Sequence, residues 1–270
     1  MWFSVREPRE ETPVVVEVPH AGLLLDAPAL RTLSAPAYSI AKDADLYVDE
    51  LYQDAPALGA ALLVAHASRY FCDLNRAEDN VDGDTVIGRR SHGVPHGVVW
   101  RMTTDKAPAL TEPLGPEEFE RRLEEVYRPY HRTLSGLVSR RVERFGYAVL
   151  LCAHSMPSVG RAGHRDPSEP RADIVPGSRN GTTADPRVVS APESLARERS
   201  WSVAHDQPYR GGFSTGYYGK PGKDVHAIQV EISRRLYMDE RTLRKNTNDF
   251  ENVRGFCRDL VARLAKLGLR

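Results

Sequence analysis

The sequence predicts an α/β enzyme fold. Three strand-length segments, the apolar runs Thr12–Pro19 and Tyr147–Ala153 and the mixed alternation of Val225–Ile232, are the first observation. Such runs suit strands buried on both faces of a largely parallel sheet. Helical patterns between and after them are the second. The third is that each run ends on, or carries near its end, a residue able to do chemistry: His20, His154 and Glu231. Ligand sites of open α/β sheets gather beyond the carboxyl ends of the strands.

Size and charge narrow the class. The chain has 270 residues, 41% hydrophobic, with 37 basic and 37 acidic side chains. That length suits one α/β domain covering 1–270, and no linker or repeat divides it. Balanced charge argues against nucleic acid and membrane surfaces as partners. The start, M-W-F-S-V-R-E-P-R-E-E, fits neither a signal peptide nor a transmembrane helix. Three cysteines without a C-x-x-C pair read as buried free thiols, consistent with a cytoplasmic protein.

In order along the chain, Thr12–Pro19 is a valine-rich strand that leads into His20-Ala21-Gly22. Ile40–Ala55 reads as one helix, with Asp43 and Asp45 near its start. Both suit capping roles, and either could instead face a site. On a helix they stand about 200° apart, so both are not expected to do so. Ala60–His66 is a short strand. In Ser68–Arg76, Arg69 and Arg76 flank an apolar-leaning centre, with Asn75 beside the second. A guanidinium fork suits a carboxylate ligand, and salt bridging to Asp73 or Glu78 is the alternative.

Residues 77–113 are rich in turn formers and predict a long irregular segment near the site. His92 and His96 lie four apart there, but Gly93, Pro95 and Gly97 argue against a helical metal pair. Pro116–Arg144 is the strongest helix, with a kink expected at Pro129 and a stop at Gly146. Tyr147–Ala153 is the central strand, ending at His154. Asp173–Val175 suits a short strand, and the G-S-R-N-G-T-T loop at 177–183 lacks the glycine-lysine-hydroxyl ending of a phosphate loop. Pro192–Ala204 suits a helix, and Tyr209–Lys223 a glycine-rich loop. Glu231 is costly inside an apolar strand unless paired or used. Phe250–Leu267 closes the chain as an amphipathic helix.

Two imidazoles and a carboxylate with one open position make a catalytic zinc site. Such an ion activates water and polarises a carbonyl, and a further carboxylate moves the proton. His20, His154, one of the two aspartates, and Glu231 could supply these parts. The pattern alone supports an α/β hydrolase.

Several stretches together, V-P-H-A-G at 18–22, D-A-D-L-Y-V-D-E-L-Y at 43–52, S-R-Y-F-C-D-L-N-R at 68–76, A-H-S-M at 153–156, Y-R-G-G-F at 209–213 and Q-V-E-I-S-R-R-L-Y-M at 229–238, resemble the N-formylglutamate amidohydrolase family. The resemblance spans about residues 12 to 240 and lies in the order of the motifs. The family is related to zinc carboxypeptidases and aspartoacylases. It implies a phosphorylase/hydrolase-like three-layer α/β/α fold with a central mixed sheet. It also implies zinc-dependent hydrolysis of an N-formyl or other N-acyl acidic amino acid. Carried over by residue, His20, Asp43 and His154 are the implied ligands of one zinc ion, with Asp43 favoured over Asp45. Glu231 is the implied general base. Asn75 and Arg76 are implied to hold a substrate carboxylate, with Arg69 and Arg210 as further cations. Carboxypeptidase-like relatives place a glutamate ligand where this chain has Leu23, so the carboxylate must come from elsewhere, and Ser233 stands where the family often has asparagine. A carboxypeptidase-like peptidase, a non-catalytic small-ligand module and a nucleotide binder using the 177–183 loop are the alternatives.

Overall fold

The computed structural model describes residues 1–89 and 96–269. Its centre is a six-stranded sheet: β1 (Phe3–Arg6), β2 (Val14–Val18), β3 (Ala61–Ala65), β4 (Ala148–Met156), β5 (Ile174–Gly177) and β6 (Val225–Ser233). The spatial order is β1-β3-β2-β4-β6-β5. The inner four strands are parallel, and the edge strands β1 and β5 run antiparallel to their neighbours. The sheet is therefore mixed, as expected. Every residue of β2, β3 and β4 is buried, as strands covered on both faces must be.

Helices cover both faces. They are α1 (Ala27–Thr32), α2 (Ala37–Asp43), α3 (Val48–Leu51), α4 (Pro116–Arg122), α5 (Arg128–Phe145), α6 (Pro186–Glu198), α7 (Phe213–Tyr218) and α8 (Thr247–Ala265). Alternation along β2 divides the core. Val14, Val16 and Val18 pack with α3, α6 and α8, through Leu51, Leu195 and Phe256 among others. Val15 packs on the opposite side, with Phe119 of α4 and Leu134 of α5. Each such side chain, fully buried, contributes about 1.5–3 kcal/mol. Among the described residues, no helix is long and apolar enough to cross a membrane, and the three cysteines are buried and unpaired.

Strand order positions the site. From β2 the chain steps to β3 on one side, then returns to place β4 on the other. The gap between the carboxyl ends of β2 and β4 is thus a topological switch point, where a crevice opens. His20 follows β2 and His154 lies in β4. The β2–β4 pairing reaches only Glu17 and Cys152, whereas β4 and β6 stay paired to Met156 and Ser233. His154 and Glu231 are direct partners on this two-stranded projection.

Several boundaries differ from the sequence reading. His154 was expected after its strand, and it lies within it, because β6 continues to supply hydrogen bonds. The single helix expected over Ile40–Ala55 is broken. Ala44 is extended, Tyr47 adopts the left-handed conformation at φ 68°, and α3 then begins. The helix expected from Pro192 starts at Pro186, because Asp185 caps it by accepting the amide of Arg187, and Pro192 lies inside. The 209–223 loop contains α7. The disruption expected at Pro129 is a π-helical turn over Leu123–Tyr127, just before it. Proline offers no N–H to, and crowds, the carbonyl four residues back, and a wider turn relieves that clash. Gly146 ends α5 at φ 78°, as expected.

The turn after β2 depends on one glycine. A Cβ at Gly22 would lie 2.2 Å from the backbone carbonyl of His66. The carbonyl of His66 also accepts the amide of Leu24 at 2.8 Å, so the two segments cannot separate cheaply. Gly136, exposed within α5, has open space where its Cβ would be. Gly22→Ala is expected to lower unfolding stability by at least about 1–3 kcal/mol. Gly136→Ala should raise it by about 0.5–1 kcal/mol. Urea denaturation of both variants checks the pair.

Candidate metal centre and active-site cavity

A cavity of about 560 Å³ opens at the carboxyl end of the sheet. His20, Asp45 and His154 meet at its floor, all buried, with one donor atom from each within 4.8 Å of the others. Asp45 Oδ2 lies 3.0 Å from His154 Nδ1 and 3.5 Å from His20 Nδ1. Its other oxygen accepts from Arg234 Nη2 at 3.0 Å. The backbone amide of Asp45 donates to the carbonyl of His20 at 2.9 Å, which docks the α2–α3 connection onto the turn after β2.

The surroundings orient each imidazole. His20 Nε2 donates to Asp73 Oδ1 at 2.7 Å, leaving Nδ1 to face Asp45. Asp73 is itself held by Trp100 Nε1 and Arg69 Nη2, each at 2.9 Å, and by the amide of Asn75. His154 Nε2 meets the Asn75 amide nitrogen at 3.2 Å. A carboxylate behind a ligating histidine is the usual way to fix its tautomer and raise its basicity.

These residues fit a divalent ion. Donors bound tetrahedrally at about 2.1 Å stand roughly 3.3 Å apart, and the two nitrogen–oxygen separations bracket that distance. Two imidazoles and a carboxylate are also a donor set that zinc accepts, and they leave a position open. Burial would raise the Asp45 carboxyl, but hydrogen bonds from His154 and His20 overcome it and hold the pKa well below the carboxylate range. Burial likewise opposes ionisation of Asp73, and the facing His20 imidazole and Arg69 guanidinium outweigh it. Both carboxylates are thus anionic.

Glu231 lines the same cavity and is buried. Its Oε1 accepts from Gln229 Nε2 at 2.8 Å. Burial raises its pKa, with His154 as the main opposing influence. A carboxylate shifted upward is a better proton acceptor than an ordinary glutamate.

Asp43, the carboxylate ligand implied by family resemblance, is directed elsewhere. It accepts from Tyr70 at 2.5 Å, from the Thr104 amide at 3.1 Å and hydroxyl, and from Arg161 at 2.8 Å. The structure brings Asp45 to the histidines in its place. Asp43 ends α2, and the extended backbone at Ala44 sends the next side chain to the opposite side. One-helix geometry hid this.

The four expected substrate-binding residues all line the cavity, with different partners. Arg69 is paired with Asp73 and lies over the Trp100 ring, 4.3 Å from its centroid, so its charge is already matched. The Asn75 amide is engaged by His154, by Gln229 and by the Ser214 amide. Among the described residues, the hydrogen bond of the Arg76 side chain goes to a backbone carbonyl, that of His96, at 2.8 Å. Arg210 is exposed at the rim. The irregular 77–113 segment brings His96, Trp100 and Thr104 to the wall, and His92 lies outside the described residues. Asp45 is the less favoured of the two aspartates in the sequence reading, Asp73 figures there only as a salt-bridge partner, and Arg234 is not singled out. Only Asp45 carried a signal there, and the other two become visible through hydrogen bonds to the imidazole and its ligand partner.

Comparison with known proteins places the chain. The N-formylglutamate amidohydrolase family model matches residues 12–238. An N-formylglutamate deformylase of Pseudomonas putida is 34% identical, over 84% of this chain and 82% of that protein. One of Pseudomonas aeruginosa is 32% identical over 96% and 95%. The crystal structure of an N-formylglutamate amidohydrolase from Ralstonia eutropha superposes with a TM-score of 0.89 at 30% identity, covering 98% of this chain and 97% of that one. A protein of Agrobacterium tumefaciens shares the fold, with a TM-score of 0.67 at 19% identity. The chain belongs to the N-formylglutamate amidohydrolase family.

The two aspartates should separate cleanly in a zinc titration. Asp45→Asn is expected to weaken binding by at least about 100-fold, beyond the range seen for outer partners of a ligand. Asp43→Asn should keep stoichiometric zinc and lose about 1–3 kcal/mol of stability from its buried network. Tight zinc binding by Asp45→Asn would remove it from the ligand set.

Proposed function

We propose that this member of the N-formylglutamate amidohydrolase family is a zinc-dependent hydrolase of N-formylglutamate, releasing formate and glutamate. The observation that carries the reading is the His20–Asp45–His154 cluster with Glu231 beside it in one arginine-lined cavity. The relatives named for this substrate support it.

His20, Asp45 and His154 would hold the ion. A bound zinc ion polarises a carbonyl and lowers the pKa of water at neutral pH. The remaining work belongs to side chains. Glu231 takes a proton from the attacking water as a bond forms to the formyl carbon. It then delivers that proton to the glutamate nitrogen as the carbon–nitrogen bond breaks, which makes the amine a viable leaving group. Arg76 binds the carboxylate next to that nitrogen, because its guanidinium has no acidic partner among the described residues. Asn75 keeps His154 in place. Asp73 and Arg234 hold the first imidazole and the carboxylate ligand, so the cluster need not reorganise as charge develops.

Metal analysis of protein purified without added metal, together with formate release from N-formylglutamate, tests the reading. About one zinc per chain with turnover supports it. Zinc with hydrolysis of peptides at their carboxyl termini, and none of N-formylglutamate, would transfer the site to the peptidase class. Glu231→Gln should keep zinc and lose about 10²–10⁴ in kcat, whereas His154→Ala should lose zinc and turnover together. Burial holds the Glu231 carboxyl of the metal-free protein above the ordinary glutamate pKa of about 4.3, so its carboxyl signal in metal-free protein, assigned by NMR against Glu231→Gln, should titrate above that value. Titration at or below it would contradict the burial argument. A zinc ion beside the carboxylate would lower that pKa, and kcat/KM should fall only where pH drops far enough to protonate it.

A further inference from the structure

Seven arginines and four acids line the cavity, so its positive charge exceeds what its own acids neutralise. Asp43 is paired with Arg161, Asp45 with Arg234, Asp166 with Arg171, and Arg69 with Asp73, and Glu231 is the fourth lining acid. Four lining arginines, Arg76, Arg165, Arg179 and Arg210, have no acidic partner among the described residues. One inner cation accounts for one substrate carboxylate. An acidic N-formyl amino acid has two.

Of the three rim arginines, Arg179 is the one the fold fixes in place. It lies in the G-S-R-N-G-T-T loop, which no part of the reaction above uses. Arg179, Asn180 and Gly181 all have positive φ, at 52°, 61° and 75°. Two non-glycine residues in that region are strained unless their surroundings hold them. Here Asp206 accepts the amides of Ser178 and Asn180 at 2.7 and 2.6 Å. Ser178 Oγ accepts the Gly181 amide and meets His205 Nε2 at 2.7 Å, and His205 Nδ1 meets Glu193 of α6 at 2.7 Å. The serine–histidine–glutamate chain resembles a nucleophile relay, but Ser178 is fully buried and does not line the cavity, so it serves as an anchor.

The anchored loop fixes the backbone of Arg179, and the exposed guanidinium has one hydrogen bond to a neighbouring loop. Arg179 Nη1 donates to the carbonyl of Gly211 at 3.3 Å. A methyl group on Gly216 would stand 3.0 Å from its Nε, so the absence of a side chain there makes room for it. The Arg179 amide also bonds the carbonyl of Arg210 at 2.8 Å, which joins two loops at the rim.

We propose that Arg179 is a specificity-determining residue that receives the side-chain carboxylate of the substrate, with Ser178, His205 and Glu193 as its positioning residues. The proposal rests on the hydrolase reading given above. It assigns the inner Arg76 to the carboxylate near the scissile bond and Arg179 to the distal one. A cation seated in advance loses little freedom on binding, so it discriminates charge more sharply than a mobile surface arginine.

The test compares kcat and KM on N-formyl-L-glutamate and its isostere with a neutral side chain, N-formyl-L-glutamine, for wild type, Arg179→Gln, Arg165→Gln and His205→Ala. Arg179→Gln should lower kcat/KM on N-formylglutamate about 10- to 100-fold, the range of a lost charge-assisted hydrogen bond. The loss should fall in KM, and N-formylglutamine should change by less than about 2-fold. Arg165→Gln should leave both substrates unchanged. His205→Ala should show a smaller loss of the same selective kind, whereas simple loosening of the fold would affect both substrates alike. Equal losses on both substrates in Arg179→Gln, or none, overturn the proposal while the hydrolase reading stands. So does an unchanged preference in Arg179→Gln with a lost one in Arg165→Gln. A wild-type enzyme that cleaves neither compound sinks the hydrolase reading, and the proposal with it.

Discussion

Asp45 joins two imidazoles and a guanidinium through a single buried carboxylate. One oxygen faces His20 and His154, and the other accepts from Arg234. Those partners come from the turn after β2, from the middle of β4's projection and from the end of β6. A buried charge with these partners is tolerable, and without them it is not. The carboxylate therefore requires three parts of the chain, distant in sequence, to arrive together. Asp73 repeats the arrangement one step outward, gathering His20, Trp100 and Arg69. The cavity floor is rigid because its charges have few alternative partners.

The sheet was legible because its strands are continuous apolar runs, and each functional residue at a strand end interrupts such a run. His20, His154 and Glu231 stood out for that reason, and the order of the motifs pointed to the family. The carboxylate between the histidines was not legible in the same way. D-A-D followed by L-Y-V-D-E-L-Y has helical periodicity, and nothing in it signals that Tyr47 takes a left-handed conformation. Nor does it signal the extended Ala44 between the two aspartates, which decides which of them faces the histidines. Strand ends were placed early for a related reason. Polar residues at the tips of β4 and β6 look like loop, yet they remain in ladder geometry because they face a cavity. The start of α6 was available from Asp185-Pro186, a cap and first-turn proline that a second proline at 192 obscured. β1, a short edge strand, carries only four residues of signal.

The arginines show how little residue type alone reveals. Arg69 and Arg76 looked like a matched pair flanking one motif. Partner by partner they differ, since Arg69 is neutralised by Asp73 whereas Arg76 meets a backbone carbonyl. Asn75, between that motif and the histidine–aspartate cluster, has its amide committed on both sides. A side chain's usefulness to a ligand depends on which of its hydrogen bonds remain unmade, and that is a property of the fold.

The chain as a whole is electrically balanced, with 37 charges of each sign, yet its cavity is not. Three rim arginines and one further in give the cavity a local excess of positive charge without making the molecule a polycation. Over distances beyond a Debye length, about 8–10 Å in physiological salt, a passing polyanion meets little net attraction. Within that distance a small anion meets the cavity's unpaired guanidinium groups, whose field the surrounding low-dielectric protein strengthens. A balanced chain thus presents one anion-facing hollow, through the way charge is distributed rather than how much of it there is.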